Sequence, residues 1–140
     1  MTERRIEKRI AGSCCCGAVK FELLAEPSLM GTCHCTRCRK VGASTIVFVK
    51  KADLKWIQGR DNVQVFEPVA PYQYSRCFCK TCGTSLGEIL SEADSFPISA
   101  HALDGDIGLK NHFHEFVAEK PAWDVIGDDA KQFDGHPTPS

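Results

Sequence analysis

Apolar and polar residues alternate along this chain in short runs rather than in helical stripes. Residues 18–24 (Ala-Val-Lys-Phe-Glu-Leu-Leu) alternate with period two between Gly17 and Pro27, the pattern of a half-buried strand. Residues 44–50 are rich in β-branched side chains, residues 62–66 alternate, and 72–78, 85–90, 96–103 and 111–116 add further strand candidates. Turn residues at 59–62 and 104–108 separate them. No long amphipathic helix is indicated; helical turns are expected only after Cys35, at 51–54 and near 121–125. The pattern therefore predicts an all-β fold of short antiparallel strands. Its length suits a single domain over 1–140, with a core at about 10–127 and a polar tail, 128–140, lying loosely on the surface.

Composition supports a folded protein. Apolar residues make up 43% and charged residues 25% of 140 positions, and the formal charge is −1, unlike a disordered chain. No apolar stretch approaches the roughly 20 residues of a membrane helix, and the charged start, residues 1–9, precedes no apolar signal core. A cytoplasmic protein with no membrane partner is the expectation.

Cysteine changes the picture. There are nine, at 14, 15, 16, 33, 35, 38, 77, 79 and 82. The number is odd, and adjacent cysteines such as Cys14-Cys15-Cys16 close strained rings, so a disulfide scaffold fits poorly. Thiols one and two residues apart are better read as metal ligands, with zinc favoured over iron. Cys33-His-Cys-Thr-Arg-Cys38 supplies three thiols, enough to hold a metal while leaving a fourth position open, as catalytic zinc requires. The outer clusters can each give two ligands, Cys14 with Cys16 and Cys79 with Cys82, making a closed structural site. Gly17 and Gly83, each just after a pair, suit knuckle turns that need positive φ. Two alternatives stand beside this sorting: a redox dithiol in the outer set, and a second structural zinc at Cys33, Cys35 and Cys38 completed by His34, Cys77 or a distant histidine. Cys15 and Cys77 are left over and are expected to pack as small apolar groups.

Charge is uneven. Residues 31–60 carry seven Lys or Arg against Asp53 alone, whereas residues 101–140 carry three against eight acids. The basic stretch surrounds the three-cysteine motif, where it can attract an anionic substrate, offset thiolate charge, or simply face water. Basic runs with interleaved aromatics are missing, so no nucleic-acid partner is expected.

These motifs resemble the glutathione-dependent formaldehyde-activating family, which also includes centromere protein V. The residues carrying the resemblance are Gly12-Ser-Cys-Cys-Cys-Gly-Ala-Val-Lys-Phe21, Cys33-His-Cys-Thr-Arg-Cys-Arg-Lys40 with Gly42-Ala43, and Phe78-Cys-Lys-Thr-Cys-Gly-Thr-Ser-Leu86. Weaker echoes follow in Ala102-Leu-Asp104 and Pro121-Ala-Trp123; Cys15 and Cys77 depart from the pattern. The resemblance implies a β-tent fold with two zincs per chain: a structural one on Cys14, Cys16, Cys79 and Cys82, and a catalytic one on Cys33, Cys35 and Cys38. It also implies a carbon-sulfur lyase that joins a small thiol, glutathione first, to formaldehyde or another small aldehyde. Arg39 and Lys40 match the family pattern and are candidates to bind the thiol's carboxylates; Arg37 joins them on charge alone. The proton for the alkoxide would come from water or from one of His34, His101, Asp104, His112 and His114. Two other classes remain open, a zinc-stabilised binding module without catalysis and a thiol redox protein using Cys15 or Cys77. Oligomeric state is not legible.

Overall fold

The computed structural model describes residues 9–138 and is almost entirely β. A three-stranded sheet has the order β1 (Ile10–Ser13), β2 (Lys20–Leu23), β5 (Leu54–Gln58). A five-stranded sheet runs β11 (Lys131–Gln132), β10 (Phe113–Glu115), β3 (Leu29–Cys33), β4 (Thr45–Lys50), β9 (Ser95–Ser99). The third sheet is β6 (Val63–Phe66), β7 (Arg76–Cys79), β8 (Ser85–Gly87). Pairing is antiparallel except where β10 runs parallel to β3 and to β11. The single α-helix among the described residues, α1, spans Thr36–Val41. Among these residues no helix is long and apolar enough to cross a membrane.

Period-two alternation builds the core. Val47 and Val49 of β4, Phe96 and Ile98 of β9, Phe21 and Leu23 of β2, and Cys77, Cys79 and Leu86 of the third sheet form one buried cluster. Each large side chain fully buried there contributes about 1.5–3 kcal/mol. Two glycines let the sheets approach: a Cβ at Gly59 (φ 81°) would stand 1.9 Å from the Ala18 carbonyl oxygen, and one at Gly87 (φ 69°) 2.6 Å from Ile98 Cα.

The structure differs from the sequence expectation in several places. β1, β3, β5 and β11 lack clean alternation or sit beside turn residues. In the 72–78 run only Arg76–Cys79 overlaps a strand, and 85–90 ends its strand at Gly87. Residues 121–125 form a turn closed by Asp124 N–H to the Pro121 carbonyl, and the helical turn lies earlier, at Val117–Glu119. The tail is not loose as far as it is described. Phe133 N–H donates to the His114 carbonyl, Phe116 N–H to Gly135 and Val117 N–H to Phe133, so the segment edges the five-stranded sheet. Pro139 and Ser140 lie outside the described residues.

Candidate functional site

The turn after β1 carries Cys14 and Cys16, while Cys79 ends β7 and Cys82 sits in the turn that follows it. In each, a glycine closes the knuckle in the left-handed region: Gly17 (φ 83°) donates to the Cys14 carbonyl, Gly83 (φ 81°) to that of Cys79. All four sulfurs lie within 4.8 Å of one another. Cys14 to Cys16 is 3.6 Å and Cys16 to Cys79 is 3.9 Å. A tetrahedron with metal–sulfur bonds of about 2.3 Å has edges of about 3.8 Å, whereas a disulfide needs about 2.05 Å, so the spacing fits a thiolate-held zinc ion. Val19 N–H points at the Cys14 sulfur (3.2 Å) and Asn62 Nδ2 at that of Cys79 (3.4 Å), donors that suit thiolates. Cys15 is exposed rather than packed, whereas Cys77 is buried in the core and its thiol is pushed up by that burial. The expectation of packing is therefore met only by Cys77. Cys15 stands at the outer corner of the turn that Gly17 N–H closes on the Cys14 carbonyl, so its side chain meets solvent.

The second cluster forms where β3 runs into α1. Cys33 ends β3, Cys35 is the N-cap of α1 and accepts the Cys38 N–H at 3.3 Å, and Cys38 sits in the first turn. Capping thus folds the three thiols together, with all sulfurs within 4.8 Å of one another. Among the described residues no fourth Cys, His, Asp or Glu joins this group. His34 points away from it to His114, and Cys77 lies in the core. Arg76, on β7, directs Nη1 and Nη2 at the Cys38 sulfur (3.8 and 3.7 Å), stacks on Tyr74 at 4.8 Å, and leaves its buried Nε without a partner. The Cys33 hydrogen bond, against the cost of burial and aided by Arg76, holds the Cys38 thiol down to about 5; the same hydrogen bond pushes Cys33 up. A site that already favours one thiolate beside a buried cation has the donor chemistry of a metal centre.

The three thiols line a cavity of about 670 Å³. Arg37 also lines it, its guanidinium 3.8 Å above the Tyr72 ring. Arg39 and Lys40 are exposed in the last turn of α1, beyond the cavity lining, where they complement the helix C-terminus. None of His34, His101, Asp104, His112 and His114 lines the cavity. His101, Asp104 and His112 are exposed; Asp104 accepts from Ser13 Oγ and His112 Nδ1 from Met30 N–H. The titratable groups facing the thiols are instead Glu115, Glu119 and His136, which the sequence reading missed. Glu115 is paired in register with Cys33, and burial raises its carboxyl. Only the parallel β3–β10 pairing, between segments some 80 residues apart, reveals that neighbour.

Behind the thiols two buried histidines lead out to an exposed carboxylate. His34 Nε2 meets His114 Nδ1 at 2.9 Å, and His114 Nε2 meets Asp128 Oδ1 at 2.8 Å. The carboxylate can only accept, so His114 donates from Nε2, leaving Nδ1 to accept from His34 Nε2–H. These hydrogen bonds fix the ring between Cys33 and Cys35 and tie the tail to the site.

A sequence profile described as glutathione-dependent formaldehyde-activating enzyme matches residues 9–119, a span containing all seven clustered cysteines but neither Asp128 nor His136. A Halomonas elongata protein bearing the provisional name of glutathione-dependent formaldehyde-activating enzyme is 27% identical over 126 residues, 81% of this chain and 78% of that protein. A Schizosaccharomyces pombe protein named as an uncharacterized lyase is 28% identical over 75 residues, 54% of this chain and 53% of that one. Among solved structures, that of a Rhodobacter sphaeroides protein matches with a TM-score of 0.54 and 27% identity, over 69% of this chain and 89% of that one.

Proposed function

The chain belongs to the glutathione-dependent formaldehyde-activating enzyme family, and on that premise we propose that it is a zinc-dependent carbon-sulfur lyase acting on adducts of a small thiol, such as glutathione, with a small aldehyde. The observation that carries this reading is the set of three convergent thiols, Cys33, Cys35 and Cys38, facing a cavity without a fourth ligand from the described chain. Cys14, Cys16, Cys79 and Cys82 would hold a second, structural zinc. Nine free thiols suit a reducing compartment such as the cytoplasm.

Zinc held by the three thiols supplies Lewis acidity that favours the thiolate form of an incoming thiol. In the addition direction the thiol loses its proton, its sulfur forms a bond to the carbonyl carbon, and the carbonyl π pair becomes an alkoxide that takes up a proton. The reverse sequence breaks the C–S bond. Arg37 lines the cavity and offers its cation to a carboxylate of the thiol, while Arg39 and Lys40, in the last turn of α1 outside the lining, add positive potential from farther away. Glu115, beside Cys33 in the cavity wall, stands where its carboxyl oxygen can carry the transferred proton.

The test is the rate of adduct formation from glutathione and formaldehyde with the zinc-loaded protein. Acceleration over the spontaneous reaction, abolished in Cys38→Ser while the other zinc stays bound, supports the reading. A rate equal to the uncatalysed one, with two zincs in place, overturns it.

A further inference from the structure

The cavity beside the three thiols holds more apolar surface than a one-carbon aldehyde can use. Its volume of about 670 Å³ lies within the range of sites that enclose whole drug-sized ligands. The alternation of β4 shows where the surface comes from. Val47 and Val49 face the core, so Ile46 and Phe48 face the other way and line the cavity. Phe48 is registered opposite Pro97 of β9, which lines it too. Ile46, Phe48 and Pro97 therefore make a continuous apolar floor on a sheet face that would carry polar residues if it simply met water. Tyr72, from the segment between β6 and β7, borders the same space.

The charged groups of the cavity are largely engaged within the chain. Glu115 faces His136 at 3.7 Å, Glu119 accepts the Thr36 N–H at 2.9 Å, and Arg76 is committed to Cys38. Arg37 is the remaining lining cation: its guanidinium lies over the Tyr72 ring, and among the described residues it is paired with neither a carboxylate nor a thiol. A formaldehyde adduct adds a single hydroxymethyl carbon to the sulfur and would leave the floor wet. An adduct whose carbon bears an apolar arm covers it.

Resting on the thiol-adduct reading above, we propose that the aldehyde partner carries an apolar group of about phenyl size, seated on Ile46, Phe48 and Pro97 beside the sulfur held at the three-cysteine site. The bond chemistry is unchanged: S–H breaks, C–S and O–H form, and no oxidant is needed.

The experiment uses the full chain loaded with cobalt(II), whose visible spectrum reports thiol binding. 2-Mercaptoethanol and 2-phenylethanethiol carry on the sulfur the arm that the aldehyde-derived carbon of an adduct would carry; they share a two-carbon chain and differ in hydroxyl against phenyl. The phenyl compound is expected to bind at least about tenfold more tightly, and Phe48→Ser to shrink that preference to within about threefold. The unaltered spectrum of the four-cysteine site shows that the variant is folded. Should Phe48→Ser not fold, Tyr72→Ser, at a side chain 52% exposed, reads the same ratio. Equal affinities, or a preference that survives the substitution, overturn the proposal while leaving the thiol site standing. Failure of both thiols to perturb the three-cysteine spectrum overturns the open-site reading and this proposal with it.

Discussion

Arg76 brings a full positive charge to a position only 9% exposed, and its partner there is the sulfur of Cys38 rather than a carboxylate. Burying a cation this way is costly unless the sulfur is a thiolate, so the guanidinium and the metal-binding thiols support each other. Arg76→Met is expected to weaken zinc at Cys33, Cys35 and Cys38 by about 10–100-fold, and Arg76→Lys to rescue it only in part, because an ammonium cannot present two fixed N–H groups. Zinc release to a chromophoric chelator measures this, with the four-cysteine site as internal reference. Equal loss from both sites would mean that the fold, not the charge, had failed. The sequence showed the seven clustered cysteines because their spacing is local. It did not single out Arg76 or Glu115, whose roles arise from neighbours brought up by pairing across the sheets.

At the scale of elements, β3, α1 and β10 make the site. β10 runs parallel to β3, and its His114 reaches His34 across that pairing. Burial lowers the His34 pKa below its ordinary value of 6.5, so the folded state holds the ring neutral while the unfolded chain takes up a proton more readily. The stability this pair contributes is therefore complete above about pH 6.5 and is lost as pH falls through the lower folded value. Thermal midpoints measured from about pH 7.5 down to about 5.5 are expected to fall more steeply for the wild type than for His34→Gln. Parallel slopes would remove the pair from the account. Alternation predicted β2 and β6, and β-branched richness predicted β4, because one face of each packs on the core. Alternation missed β3, where Gly31 and Thr32 interrupt any apolar pattern, and it misjudged the tail, whose polar strand is recruited by backbone hydrogen bonds together with the Asp128 and His136 side chains.

For the whole molecule, the four-cysteine site joins the turn beside the first sheet to the turn beside the third, linking sulfurs 63 residues apart in sequence. A metal there closes a long loop and contributes folding free energy directly. Cys82→Ser is expected to lose one zinc and several kcal/mol of stability, read as a lower denaturant midpoint, whereas Cys35→Ser should lose the other zinc at a much smaller stability cost. The family resemblance, carried by motifs from Gly12 to Trp123, anticipated both cysteine groups. The cavity wall was not legible, because it is assembled from β4, β9, β10 and the strap before β7. The most direct test of the account is X-ray absorption at the zinc edge of the two-zinc protein, with and without glutathione. The account predicts an average of about 3.5 sulfur neighbours per zinc, rising to about 4 when the thiol is added. Four sulfurs per zinc from the outset, unchanged by the thiol, would contradict it.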